Sequence, residues 1–90
     1  MDRQVNAHAL HVDCARRDGR GRVTHVGGPA PGGKRWMLEL GAVIDSLQHG
    51  AGRFYVSRGS QQIGLSVQRG ELVAMTGDDW SVDSLPACVD

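Results

Sequence analysis

The sequence has few of the residues that would mark a disulfide scaffold, a stacking surface for nucleic acid or a membrane protein. Of its 90 residues, two are cysteine, three are proline and four are aromatic. Two cysteines are too few for a disulfide framework. No apolar run approaches the roughly 20 residues that a membrane-spanning helix needs. The polar segment 1–6 is followed by no signal-peptide apolar region. These absences predict a cytoplasmic protein that does not enter a membrane.

What is present fits one small domain. A chain of this length can bury roughly 60–65% of its unfolded surface, which is enough for one modest core. We expect a flexible tail over residues 1–7 and a single domain over residues 8–90. The formal net charge is zero, but it is unevenly distributed. Residues 1–35 contain seven basic and three acidic residues (+4), and residues 36–90 contain three basic and seven acidic ones (−4).

The first third of the chain has the pattern of a β-hairpin. Apolar and polar residues alternate at the start of the segment 9–17, which predicts a strand. Asp18-Gly19 is a turn signal, and the segment 22–26 returns as a second strand. Val23 is out of phase with the face of Val26, which predicts a bulge or a change of face. Two prolines and four glycines predict a loop over residues 27–33.

The middle of the chain predicts one amphipathic helix. Its apolar residues have the spacing i, i+3, i+4, i+7 and form one stripe: Leu40, Val43, Ile44 and Leu47. Gly50 follows the last of them and fits a C-terminal cap. We expect the stripe to face a sheet and Leu47 to be buried there.

Three further strands are expected after the helix, over residues 53–57, 61–68 and 71–76, and their turn signals indicate a meander. The predicted order is β-β-α-β-β-β. The sequence therefore predicts an α+β fold, in which an antiparallel sheet of four to five strands carries the helix on one face.

Several short motifs, in this order, resemble a family of small bacterial domains of unknown function. They are Val26-Gly-Gly28, Trp36-x-Leu38, the helix with Ile44 and Leu47, Gly50, Arg53-Phe-Tyr-Val56 and Leu85-Pro86-x-Cys88. The resemblance covers roughly residues 20–88. It implies the fold just described, and it offers no catalytic residues to carry over.

Metal and thiol chemistry are weakly supported. His8-x-x-His11-x-x-Cys14 has equal spacing, but a strand places His8 and Cys14 on one face and His11 on the other. We therefore predict no metal site and no cofactor. Cys14 and Cys88 are expected to be a small core residue and an anchor for the tail. They could lie side by side, but the cytoplasm would keep both reduced.

Catalytic motifs are also weak. The glycine-rich segment 27–34 ends in Lys34, as a phosphate-binding loop does, but Arg35 stands where such a loop has Ser or Thr. The acidic cluster Asp78, Asp79 and Asp83 reads as a solvated turn, since an EF-hand would need alternating ligands and a closing Glu. We predict that the protein is not an enzyme.

The sequence favours an accessory or interaction module that acts through a protein partner. The alternative is weak binding of nucleic acid or another polyanion by a basic cluster around the hairpin, although the chain is not basic overall. The cluster comprises Arg16, Arg17, Arg20 and Arg22, joined in the sequence by Lys34 and Arg35. Open sheet edges and the two oppositely charged halves also predict a homodimer. The alternative is that the N-terminal hairpin or the C-terminal tail covers these edges.

Overall fold

The computed structural model describes residues 9–89, which form two β-sheets and one helix. The tail predicted over residues 1–7 lies outside this range. The strands are β1 (Ala9–Val12), β2 (Cys14–Arg17), β3 (Val23–Pro29), β4 (Arg35–Glu39), β5 (Arg53–Arg58), β6 (Gln61–Gln68) and β7 (Glu71–Ala74). Helix α1 spans Leu40–Gln48, and two 3₁₀ turns span Pro31–Gly33 and Val82–Ser84.

The predicted α+β class is confirmed, with more strands than the five of the predicted order. One sheet has four strands in the order β1-β5-β6-β7, and the other has three in the order β2-β3-β4. Strand β1 runs parallel to β5, whereas the other neighbours are antiparallel. The meander after the helix is confirmed, and the two additional strands lie in the first half of the chain.

The strand predicted over residues 9–17 is divided in two at Asp13. Val12 and Ala15 are both fully buried although they are three residues apart, so the inward-facing phase changes between them. The backbone amide of Asp13 donates to the carbonyl of Gly27 over 2.9 Å. At this corner the chain leaves the four-stranded sheet and enters the three-stranded one.

Part of the predicted loop over residues 27–33 is strand, because β3 extends to Pro29. Gly27 and Gly28 serve close packing here. A Cβ atom at Gly27 would lie 2.8 Å from the carbonyl oxygen of Trp36, and one at Gly28 would overlap the carbonyl oxygen of His11. Glycine at position 28 lets β3 cross directly against β1, and glycine at position 27 allows a close approach to β4.

The predicted irregularity in the hairpin is a β-bulge at Thr24. Arg16 pairs with His25 and Arg17 pairs with Val23, so Thr24 is the additional residue on β3. Its hydroxyl donates to the carbonyl of Arg16 over 3.2 Å.

Helix α1 packs against both sheets, on β3, β4 and β6. Val43 in the middle of the apolar stripe is fully buried, whereas Leu47 is only half-buried, so the prediction for Leu47 is wrong. A helix lying across two sheets presents the centre of its stripe to the core and leaves the margins partly open. The predicted C-terminal cap is confirmed, with Gly50 at φ 66°.

The C-terminal segment returns to β2 and is held there by its backbone and by a disulfide. The amide of Ala15 donates to the carbonyl of Pro86 over 2.8 Å, and the amide of Cys88 donates to the carbonyl of Ala15 over 3.0 Å. Cys14 and Cys88 are bonded, so they are adjacent as the sequence allowed, but the expectation of two reduced thiols is wrong. A cross-link between residues 74 apart stabilises the fold by roughly 4.5 kcal/mol in the chain-entropy description.

These contacts cover most sheet edges. The tail lies on the outer edge of β2, β3 crosses β1, and Ser81 forms a bridge with Val73 of β7. Within residues 9–89, β4 pairs with no strand on its outer edge.

The crossing of β3 over β1 predicts opposite effects for the same substitution at two glycines. Gly28→Ala should destabilise the protein by about 3 kcal/mol or more, because the new methyl group meets backbone that can move only by separating the strands. Gly41→Ala, in open space on the exposed face of α1, should stabilise it by about 0.5 kcal/mol.

Urea denaturation of both variants under oxidising conditions measures this difference. Equal changes in the free energy of unfolding would show that β3 does not lie against β1 in this way.

Candidate functional site

The turn of the β2–β3 hairpin is organised by Asp18. Its carboxylate accepts hydrogen bonds from the backbone amides of Arg22 and Arg20, over 3.0 and 2.8 Å. These two bonds favour the ionised carboxylate and lower the pKa of Asp18 below its ordinary value. The backbone of both arginines is thus fixed while their side chains are exposed.

Arg17, one of the predicted polyanion-binding residues, has a structural role instead. Its guanidinium donates to the carbonyl of Asp83 over 2.9 Å and to the carbonyl of Leu85 over 2.8 Å. Both acceptors belong to the C-terminal segment, so Arg17 ties the hairpin to the second 3₁₀ turn.

The six predicted basic residues do not lie together. Arg16, Arg20 and Arg22 are at the turn end of the hairpin, whereas Lys34 and Arg35 lie beside Pro29 at the far end of β3. The seven residues of β3 separate Arg22 from Arg35 by roughly 20 Å, and Arg16, which pairs with His25, lies roughly 13 Å from the Pro29 end of the strand. Arg35 is in addition paired with Asp13, at 2.6 Å between Nη1 and Oδ1.

An open cleft of about 820 Å³, which we call the hairpin cleft, lies between the hairpin, α1, the β6–β7 turn and the second 3₁₀ turn. Its apolar lining is drawn from all four of these regions and consists of Val23, Leu40, Ile44, Leu72 and Val82. Leu40 and Ile44 belong to the stripe that was predicted to face the sheet, and both are half-buried. The cleft has the volume of a ligand site, but it is open to solvent and its exposed lining is more polar than apolar.

Both signs of charge border the hairpin cleft. Arg22 stands on the hairpin, and Glu71 and Asp83 stand across from it on β7 and the 3₁₀ turn. Within the described residues these three side chains form no hydrogen bond or ion pair with one another or with a neighbour. Arg17 and Asp18 also line the cleft, but their charged groups are already bonded to the backbone. Two cations, Arg17 and Arg22, and three anions, Asp18, Glu71 and Asp83, therefore border the cleft, and Arg22 also interacts electrostatically with Asp18.

The disulfide has a charged neighbour at the opposite end of the three-stranded sheet. Nη1 of Arg35 lies 3.4 Å from Sγ of Cys14, within hydrogen-bond reach of sulfur. Cys14 itself is 4% exposed, whereas Cys88 is half-buried.

Within residues 9–89, the structure shows contacts for several of the side chains that were considered as metal ligands. No group of three or more metal-ligating side chains comes together there. Sγ of Cys14 is bonded to Cys88, Nε2 of His11 lies 2.9 Å from the hydroxyl of Ser57, and His8 lies outside the described residues. Asp78 accepts a hydrogen bond from the hydroxyl of Thr76 over 2.6 Å and organises its own turn.

Comparisons with known proteins add no relative. No family model, no curated protein and no solved structure matches the chain. Over residues 9–89, no helix has the length and hydropathy required to cross a bilayer.

The cleft contains residues to which sequence reasoning assigned no functional role. Glu71 and Val82 carry no local signal, because they reach the cleft only when β7 and the 3₁₀ turn fold back beside the hairpin. Ile44 carries a signal for burial alone, since a helical stripe does not reveal which of its members stay open to a ligand.

Arg17 is bonded to the C-terminal segment and Arg22 is exposed, so removing their charged groups should lower the stability of the protein by different amounts. Arg17→Met should destabilise the protein by about 1–3 kcal/mol, because two backbone carbonyls lose a charged donor. Arg22→Met should change stability by less than about 0.5 kcal/mol, as is usual for exposed side chains. Thermal and urea unfolding of both variants provide the measurement, and equal losses would contradict the structural role of Arg17.

The lowered pKa of Asp18 predicts a loss of stability in acid. A carboxylate whose pKa is lower in the folded state stabilises the fold above its unfolded pKa, and it loses this effect as the pH falls through its folded pKa. Asp18→Asn should therefore be less stable than the wild type at pH 7 and should show a smaller further loss between about pH 5 and pH 2. Urea unfolding across this range tests the sign, and parallel pH profiles would count against the two turn hydrogen bonds.

Proposed function

We propose that this protein is a non-enzymatic interaction module that binds a short peptide segment of a partner protein in the hairpin cleft. The observation that carries the proposal is a cleft in which apolar side chains from four regions of the fold lie among charged side chains of both signs. Apolar anchors within a polar rim are the usual anatomy of a protein–protein contact. The non-enzymatic part rests on the sequence, in which no catalytic motif was found.

The charges of the cleft favour a peptide over a polyanion as its occupant. The anions of the cleft, Asp18, Glu71 and Asp83, would repel a phosphate backbone, and they outnumber the cations Arg17 and Arg22. A peptide can match both signs: an apolar side chain on Ile44, an acidic residue towards Arg22 and a basic residue towards Glu71. This complementarity would determine the orientation of the peptide more than its affinity.

Polyanion binding by the outer surface of the hairpin is the second candidate. It is favoured by Arg20 and Arg22, whose exposed side chains form no hydrogen bond or ion pair within residues 9–89. Arg16 lies beside them, whereas Arg17 is bonded to the C-terminal segment and Lys34 and Arg35 lie at the far end of β3. This candidate therefore rests on Arg20 and Arg22, two of the six predicted residues.

We also propose a cellular compartment and a dimer interface for this protein. The sequence favours the cytoplasm, but a Cys14–Cys88 disulfide favours an oxidising compartment, and we propose the latter.

The predicted homodimer would use β4, whose outer edge has no partner strand within residues 9–89. The resemblance to small bacterial domains of unknown function stays a prediction.

Selection from a random peptide library displayed on phage, against the oxidised protein, tests the peptide-binding function. We expect enriched peptides with an apolar residue flanked by one acidic and one basic residue. Ile44→Glu should weaken the binding of a synthetic enriched peptide at least tenfold, because it places a charge among the apolar side chains of the cleft. Met75→Glu is the matched control: Met75 is 66% exposed, does not line the cleft and should leave affinity unchanged.

Two outcomes would overturn this function. One is a set of peptides that binds both variants equally, since binding would then lie outside the cleft. The other is tighter binding of a fluorescent single-stranded oligonucleotide that weakens steeply with salt and is lost in Arg20→Glu, which would establish the polyanion-binding alternative.

A further inference from the structure

The Cys14–Cys88 disulfide lies beside the guanidinium of Arg35, at a site distinct from the hairpin cleft. The two sulfur atoms have unlike surroundings. Cys14 is buried and has a guanidinium nitrogen 3.4 Å from its sulfur. Cys88 is half-buried in the exposed C-terminal segment, between Ala87 and Val89, and Val89 is 79% exposed.

These surroundings give the two sulfur atoms different roles in thiol–disulfide exchange. A cation next to sulfur favours the thiolate over the thiol. The sulfur with the lower thiol pKa is the better leaving group when a disulfide is attacked, and access decides which sulfur is reached first. Access selects attack at Cys88, the less buried of the two residues. The contact with Arg35 favours departure of Cys14 as a thiolate, and it acts against the burial of Cys14, which favours the thiol.

We propose that the Cys14–Cys88 disulfide is an exchange site for thiol reductants, with Cys88 as the sulfur that is attacked and Cys14 as the leaving group held by Arg35. The thiolate of the reductant forms a bond to Sγ of Cys88, the Sγ–Sγ bond breaks, and its electron pair leaves on Sγ of Cys14. A second thiolate then attacks the reductant sulfur of the mixed disulfide and releases Cys88. Two thiols are oxidised to one disulfide, and the two electrons they lose reduce the protein.

Asp13 opposes the stabilisation of the Cys14 thiolate by Arg35. Its carboxylate lies 2.6 Å from the same nitrogen of Arg35 and partly neutralises it. Removal of the carboxylate alone should therefore enhance the influence of Arg35 on Cys14, whereas removal of the guanidinium should abolish it. This opposition separates an electrostatic role of Arg35 from a structural role of the ion pair, because a structural role would make the two removals equivalent.

The first experiment identifies the sulfur that is attacked. The oxidised protein is mixed with a limiting amount of reduced glutathione, quenched in acid within seconds, and the peptides are analysed by mass spectrometry. We expect glutathione on Cys88 in at least tenfold excess over Cys14. Equal labelling, or an excess on Cys14, would overturn the proposal.

The second experiment measures the leaving group. In a Cys88→Ser background, the thiolate absorbance at 240 nm gives the pKa of Cys14. Arg35→Met should raise this pKa by about one unit and slow the reduction of the wild-type disulfide by glutathione several-fold. Arg35→Lys should retain most of the effect, and Asp13→Asn should lower the pKa and leave the reduction at least as fast. An unchanged pKa in Arg35→Met, or the same shift in Arg35→Met and Asp13→Asn, would overturn the proposal.

Discussion

The return of residues 85–88 to β2 is the contact on which the rest of the structure depends. It joins the end of the chain to a strand formed near its beginning through two backbone hydrogen bonds to Ala15, the disulfide to Cys14, and the guanidinium of Arg17. The same contact keeps the second 3₁₀ turn beside the hairpin, where it supplies one wall of the hairpin cleft. The surface that we propose for binding and the disulfide that we propose for exchange thus both depend on one long-range closure.

The basic residues in the first half of the chain form two groups: some are bonded within the fold, and others are exposed at the hairpin turn. Arg17 and Arg35 are used inside the fold, one on backbone carbonyls and the other on Asp13 and the sulfur of Cys14. Arg20 and Arg22 have their backbone fixed by Asp18 and their side chains exposed, and Arg22 also interacts electrostatically with the Asp18 carboxylate. The contacts of Arg17 and Arg35 thus hold these two positive charges in place, whereas the side chains of Arg20 and Arg22 are exposed at the turn.

Close backbone packing explains how two sheets fit in so short a chain. Gly28 allows β3 to pass directly over His11 of β1, and Trp36 packs on Phe54 of the other sheet with ring centroids 6.1 Å apart. Val43 of the helix fills the centre of the resulting core. Because the helix covers both sheets, the ends of its apolar stripe stay partly open, and Leu40 and Ile44 line the hairpin cleft.

Local sequence determined the elements whose pattern is read over a few neighbouring residues. The helical stripe, the meander over residues 53–74, the hairpin with its bulge and the cap at Gly50 all follow from periodicity and turn chemistry. The tertiary structure alone decided the break at Asp13, the use of Gly27 and Gly28 as strand residues, the pairing of Cys14 with Cys88 and the meeting of Arg22 with Glu71 across a cleft. Each of these depends on which distant segment lies alongside, and a pattern of period two or 3.6 contains no information about that partner.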